Sequence, residues 1–176
     1  DSRLGGHPER GKLPGIEAST GALGHGLPIG VGMALAAKIK KKQTRTVVIM
    51  GDGELNEGSV WEAALSASMH KLSNLIVFID SNKLQSYGPT TQVIDMGSLT
   101  EKWSSFGFNA IEVDGHNVDE LEKLVSQLPL DSKKPTAVIC HTIKGKGFPY
   151  AEQNPNWHHK SKMDKELIAE MYKCLE

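Results

Sequence analysis

Apolar residues along this chain gather in short runs that alternate with longer stretches of helical pattern. Four runs rich in Val and Ile and poor in charge, Thr46 to Met50, Leu75 to Ile79, Ala110 to Val113 and Thr136 to His141, predict strands. Their near-continuous apolar character is that of strands buried on both faces of a parallel sheet. Helical patterns run over Leu27 to Lys42, Ser59 to His70, Leu99 to Phe106, Val118 to Gln127 and Asp164 to Cys174. Strand and helix in regular alternation imply an α/β fold, an open and mainly parallel sheet with helices on both faces. Turn chemistry agrees at two boundaries, Asp114-Gly115 after the third strand and Pro135 before the fourth.

Composition narrows the classes of partner. With 20 Lys+Arg against 21 Asp+Glu the net charge is -1, so neither a nucleic-acid surface nor an anionic-membrane surface is expected. A small molecule or another protein remains. No apolar stretch approaches the roughly 18 residues of a spanning helix and no leader pattern opens the chain, which predicts a soluble, cytoplasmic protein. Cys140 and Cys174 fit neither a C-x-x-C motif nor a disulfide framework, and both read as packing or surface thiols in a reducing compartment. The 176 residues suit one domain. The chain opens on Asp1, and a glycine-rich motif follows almost at once, so residues 1–176 are expected to be a partial domain lacking upstream sequence.

Ligands of open parallel sheets bind beyond the carboxyl ends of the strands. There the first strand runs into Gly51-Asp52-Gly53-Glu54-Leu55-Asn56-Glu57-Gly58, and the second into Asp80-Ser81-Asn82-Lys83-Leu84. If the two strands are neighbours, Asp52 and Asn82, 82 - 52 = 30 positions apart, converge through one strand-helix-strand crossover. One carboxylate, one amide oxygen and one backbone carbonyl suit Mg2+, which completes its octahedron with phosphate oxygens and water. Gly51 and Gly53 let the backbone approach a phosphate, and the following helix offers free N–H groups. The alternative is structural: Gly-Asp-Gly as a turn, and Asp80-Ser81-Asn82 as a helix cap or Asx-turn.

A Gly-Asp-Gly followed about thirty residues later by Asn resembles the thiamin diphosphate fingerprint. Three further segments resemble transketolase: Gly6-His7-Pro8-Glu9, the run Pro14-Gly15-Ile16-Glu17-Ala18-Ser19-Thr20-Gly21-Ala22-Leu23-Gly24-His25-Gly26, and Asn154-Pro155-Asn156-Trp157-His158. The resemblance runs from Gly5 to about Lys160 and corresponds to the later part of the family's N-terminal, diphosphate-binding half. It implies a thiamin-diphosphate-binding fold. Position by position it implies Asp52, Asn82 and the carbonyl of Leu84 as metal ligands, with Mg2+ as the ion and Ca2+ or Mn2+ as substitutes. Gly53 would meet the diphosphate with Glu54 beside it, and Gly21, Ala22 and Leu23 would lie against the cofactor. His7 and His158 would contact the sugar, His158 also the diphosphate, and Glu57 would be the interface glutamate that couples the active sites of a dimer.

The implied reaction moves a two-carbon ketol unit from a ketose phosphate to an aldose phosphate, as in the pentose phosphate pathway. Sugar phosphates are thus the implied substrates. In the family a pyrimidine-binding domain supplies the glutamate facing the aminopyrimidine and most sugar-phosphate contacts. The chain is therefore expected to need a pyrimidine-binding half or subunit, in a homo-oligomer or heterotetramer, and to be inactive alone. The rival readings are a deoxyxylulose-phosphate synthase, a dihydroxyacetone synthase and a non-catalytic assembly subunit. Ser86-Tyr87-Gly88, where many relatives carry an acidic residue before the glycine, allows a variant sugar.

Other features read as structural. His70, His116, His141 and His159 are taken as structural histidines, and His25 is open. Lys38, Lys40, Lys41 and Lys42 are expected to complement the dipole of their own helix and to meet water. Gly145-Lys146-Gly147 serves equally as a phosphate contact or as a flexible exit from the sheet.

Overall fold

A computed structural model describes residues 5–160 and 162–174. In chain order its elements are α1 (Gly26–Ile39), β1 (Thr46–Gly51), α2 (Gly58–Met69), β2 (Leu75–Ser81), β3 (Leu84–Gln85), β4 (Gly88–Pro89), α3 (Thr90–Val93), α4 (Leu99–Ser105), β5 (Asn109–Asp114), α5 (Val118–Gln127), β6 (Thr136–His141) and α6 (Lys165–Lys173). Single 3-10 turns occupy Gly53–Asn56 and Pro155–Trp157. β1, β2, β6 and β5 form a four-stranded sheet in that order, every pair parallel. β1 and β2 run in register from Thr46 beside Leu75 to Gly51 beside Asp80, so their carboxyl ends stop level with one another.

Alternation of side chains along these strands separates two cores. Val48, Met50, Leu75, Val77, Ile79, Ala137 and Ile139 pack with residues of α1, α2 and α4, among them Leu27, Val60 and Trp103. Ile76, Val113, Val138 and Cys140 pack instead with Leu124 and Leu128, at and just after the end of α5. Helices thus lie on both faces, as the alternating pattern predicts. β1 departs from the expectation of burial on both sides, because Val47 is 56% and Ile49 77% exposed. It is the sheet's edge, and among the described residues no helix covers that face above it. A cavity of 620 Å³ lies beside it, lined by Ile16, Ile29 and Met33 among others.

The helices end where backbone geometry turns. α1 stops at Ile39 rather than Lys42 because Lys41 adopts a left-handed φ of 53°. Lys41 N–H then donates to Lys38 O and Lys42 N–H to Ala37 O, the double bond pattern of a Schellman cap. α2 ends the same way, with Lys71 at φ 48°, Lys71 N–H on Ser68 O and Leu72 N–H on Ala67 O. Lys38 differs from expectation. Its ammonium donates to His70 O at 2.6 Å and Lys71 O at 3.1 Å, capping α2 rather than its own helix. The short β3–β4 hairpin, α3 and both 3-10 turns carry no hydrophobic period and were not expected. Among the described residues, no helix is long and apolar enough to cross a membrane.

Burial separates the two cysteines chemically. Desolvation, helped by the charge of Asp80, pushes the Cys140 thiol up to about 11, while Cys174 is exposed. At pH 8 only about a thousandth of Cys140 is then thiolate, the reactive form. A maleimide dye is expected to label Cys174 at least about 100-fold faster than Cys140 in the folded chain. Equal rates, read by peptide mass spectrometry, would contradict the packing of β6.

Candidate functional site

The level tips of β1 and β2 set two polar loops side by side. Asp52 N–H donates to Asp80 O at 3.1 Å, which extends the ladder one residue beyond β1. The Asp52 side chain is 6% exposed, and each of its oxygens accepts one backbone N–H. Gly53 N–H reaches Oδ1 at 2.8 Å from the start of the 3-10 turn, and Lys83 N–H reaches Oδ2 at 2.7 Å from the other loop. The second bond ties the residue following Asn82 directly to the carboxylate. Burial, the largest influence, raises the Asp52 carboxyl above its ordinary range, and the charge of Asp80 works in the same direction. Among the described residues no ion pair neutralises it.

Asn82 is 5% exposed and its amide is held at both ends. Nδ2 donates to Asp80 Oδ2 at 3.0 Å, and Oδ1 accepts Leu84 N–H at 3.0 Å. The second contact is an Asx-turn, so the structural reading of this tripeptide is realised too. Leu84 lies opposite Pro89 in the β3–β4 hairpin. Thr90 N–H bonds to Lys83 O at 2.9 Å, which makes Leu84 and Pro89 a non-hydrogen-bonded pair. The N–H and C=O of Leu84 therefore point away from β4, toward the side where Asn82 stands. Gly53 faces the same hairpin: a Cβ there would lie 2.5 Å from Gln85 Oε1 and 2.8 Å from Gln85 Cβ.

The donor set of this end is one buried, unpaired carboxylate, one amide oxygen and one outward carbonyl. Hard oxygen donors with a single negative charge match a divalent cation that keeps part of its shell for phosphate and water. Among the described residues no cluster of three or more His, Cys, Asp or Glu offers a metal site. The fit to Mg2+ thus rests on the Asp52 carboxylate, whose charge two backbone N–H groups and the Lys83 ammonium offset only in part.

Glu54 binds a third segment to this end. Its Oε1 accepts Gly24 N–H at 2.9 Å and its Oε2 accepts Gly51 N–H at 3.3 Å. Ser59 Oγ donates to Gly24 O at 2.8 Å. Gly24 has φ 76°, and a Cβ on it would sit 2.5 Å from Glu57 Cβ, so only glycine fits. Residues Gly21, Ala22 and Leu23 are thereby held near the start of α2, with Leu23 57% exposed. The His7 ring packs on Gly21, where a Cβ would come within 3.2 Å of its Cγ. Glu57 precedes α2, half-buried, and its carboxylate caps no N–H of that helix.

The 3-10 turn at Pro155–Trp157 brings in His158. His159 Nε2 lies 3.1 Å from Ser86 Oγ, which fixes this segment against the hairpin that follows Asn82. The His158 and His159 rings meet edge-on with centroids 4.5 Å apart. Burial, then the charges of Lys144 and His159, lowers the His158 pKa, which favours the neutral ring. His158 Nδ1 is buried without a hydrogen-bond partner among the described residues.

Asp80 and the backbone of Lys83 are the functional groups that sequence reasoning missed. Asp80 orients the Asn82 amide on one oxygen and accepts Thr142 Oγ1 on the other. Lys83 takes φ 69°, with its ammonium on Ser81 Oγ at 2.7 Å and near His141 Nδ1 at 3.4 Å. His141 in turn pairs with Glu112 Oε2 at 2.8 Å. His116 Nε2 accepts Ile143 N–H at 2.8 Å, and His25 Nδ1 lies 2.9 Å from Leu23 O at the start of α1.

The family described as "Transketolase, thiamine diphosphate binding domain" matches residues 1–175. The chain is 46% identical over 158 residues to an apulose-4-phosphate transketolase subunit of Phocaeicola vulgatus, covering 90% of this chain and 56% of that protein. It is 38% identical over 173 residues to a 6-deoxy-6-sulfo-D-fructose transketolase subunit of a Clostridium species, covering 97% of this chain and 63% of that one. The crystal structure of transketolase from Campylobacter jejuni superposes with a TM-score of 0.85 at 30% identity, covering 98% of this chain and 28% of that one. The chain therefore spans somewhat over half the length of the two transketolase subunits.

Proposed function

Because this chain belongs to the transketolase family, matching its thiamine diphosphate binding domain, we propose that it anchors the diphosphate of thiamin diphosphate through Mg2+ and forms one half of a ketol-transferring enzyme. The observation that carries this reading is the buried Asp52 carboxylate, which accepts N–H groups from both strand tips and has no counter-ion. Asp52, the Asn82 amide oxygen and the Leu84 carbonyl would hold the ion. Ca2+ or Mn2+ would substitute. When bound, the cofactor supplies the carbon nucleophile and electron sink for ketose cleavage.

The chain's own groups bind, orient and move protons. Gly53, whose missing Cβ makes room for the Gln85 side chain, would meet the diphosphate, and Glu54 holds the Gly21–Ala22–Leu23 segment through Gly24. Asp80 keeps the Asn82 oxygen turned to its metal side. His7, stacked on Gly21, and His158 would contact the sugar phosphate, His158 also the diphosphate. Glu57, whose side chain forms no helix-cap bond, suits a dimer interface. On this reading residues 1–176 are one partial module of a cytoplasmic enzyme. A pyrimidine-binding half completes it, in a homo-oligomer or heterotetramer, as relatives that are themselves single subunits of a transketolase suggest.

Reconstitution tests the proposal. The purified chain is expected to show no ketol transfer, and mixing it with a pyrimidine-binding transketolase half to restore turnover of a ketose phosphate donor. Turnover by the chain alone, or none with any such half, would overturn it. Tyr87, exposed and standing before Gly88 where many relatives carry an acidic residue, leaves room for a variant donor sugar. Comparing donors in the same assay decides that point.

A further inference from the structure

At the opposite end of the sheet from Asp52, where β2 and β6 begin, Lys38, Lys41, Lys42, Lys71, Lys133 and Ser132 line a pocket of about 350 Å³. No carboxylate is among its lining residues. The Asp131 carboxylate lies beside it, its Oδ1 accepting Lys133 N–H at 2.6 Å and Lys134 N–H at 3.2 Å, so one acid stands next to five lysines. In a chain whose formal net charge is only -1, five lysines among the residues lining one small hollow are a strong local concentration of positive charge.

Helix capping accounts for one of the five. Lys38 Nζ is fixed on the last carbonyls of α2, where cations are favoured. Among the described residues, no hydrogen bond or ion pair holds the ammonium groups of Lys41, Lys42, Lys71 or Lys133, all of which are exposed.

A second, independent feature concerns the backbone. Lys41 and Lys71 are the left-handed residues of the two Schellman caps, at φ 53° and 48°. That position favours glycine, because a side chain there is strained. The same departure from glycine occurs twice, on two helices, and both lysines face the same pocket. Strain retained at matching positions points to a role outside folding.

The geometry points to a binding site for a small anion with two or more clustered phosphate groups. The volume suits a small molecule. Lysines act on phosphate as mobile point charges and need no fixed fork geometry. The near-neutral chain lacks the broad basic surface that would hold nucleic acid. This inference does not depend on the cofactor reading.

Calorimetric titration of the chain with tripolyphosphate, at low ionic strength and without Mg2+, tests it. One saturable event is expected, with inorganic phosphate binding at least about tenfold more weakly. The double variant Lys41→Gly/Lys71→Gly and the variant Lys133→Gln should each lose at least about tenfold in affinity. Glycine relieves the left-handed strain, so the double variant should melt no lower than the parent, which separates lost binding from lost folding. Lys123→Gln removes the same charge from α5 and should bind as the parent does. Parallel titrations with adenosine triphosphate and a hexose bisphosphate identify the preferred carrier. The inference is overturned by the absence of saturable binding, by unchanged affinity in the pocket variants, by an equal loss in Lys123→Gln, or by duplex DNA that tripolyphosphate fails to displace.

Discussion

Replacing Asp52 with alanine is expected to abolish the Mg2+ dependence of thiamin diphosphate binding, with affinity in the reconstituted complex falling at least about 100-fold, or ~2.7 kcal/mol. The physical reason is charge. Asp52 is the one anion of the proposed ligand set, and an amide with a carbonyl alone binds a divalent ion poorly. Alanine also removes the acceptor of two N–H groups, Gly53 and Lys83. Each orphaned donor costs about 1–3 kcal/mol, while losing a buried charge works the other way. Asp52→Asn is the companion variant, because it keeps the shape and drops the charge. Calorimetry with Mg2+ and then with a chelator reads the effect, and unchanged affinity in both folded variants would remove the basis of the metal site.

The raised Asp52 pKa fixes the direction of the pH response. A carboxyl whose folded pKa lies above its unfolded value of 3.8 binds protons more tightly when folded. Its contribution to stability is present at low pH and lost as pH rises through the raised value. The contribution of Asp52 to the stability of the metal-free chain, read as the difference from Asp52→Asn, should therefore fall upward from about pH 3.8, and Mg2+ with cofactor should restore it where Asp52 is ionised. Melting curves across that range with and without the ion read the difference.

Trp103→Ala is expected to lower stability by about 3–5 kcal/mol, the usual loss for a fully buried indole. The Trp103 side chain is 0% exposed, and its ring centroid lies 4.8 Å from that of Phe108 and 5.2 Å from that of Trp61. It locks α4 over β5 and β6, on the face that also carries α1 and α2. At about 2–4 °C per kcal/mol for a chain of this size, the melting temperature should fall by on the order of 10 °C. The indole N–H is buried without an acceptor, so Trp103→Phe should cost clearly less than alanine. Urea denaturation gives both values. A loss under 1 kcal/mol for alanine would mean that α4 is not part of this core.

The parallel sheet was legible because Val and Ile runs without charge have few other stable uses, and β6 coincides with its predicted span. The meeting of the two strand-tip loops was legible as well. Thirty positions between Asp52 and Asn82 correspond to one crossover, and the pairing of Gly51 with Asp80 sets the two tips level. What joins them, the Lys83 N–H on Asp52, leaves no trace in the residue type, because every non-proline residue has that donor. The role of Asp80 was hidden differently: an acid at a strand end is ordinary until Asn82 Nδ2 and Thr142 are seen to point at it. The β3–β4 hairpin is two residues per strand and has no period to read. Lys41 and Lys71 occupy positions where glycine would have announced the helix stop. The apolar run of β1 gave no sign of its place at the sheet's border, since strand pattern does not specify neighbours.

That border matters for handling the protein. Among the described residues no strand pairs with β1 along its outer side, and Val47 and Ile49 are bare on one face. Such a rim is a template on which a second chain can lay down a matching strand. Concentrated on its own, the protein thus carries a built-in route to aggregates and a reason to be produced together with whatever shields that rim.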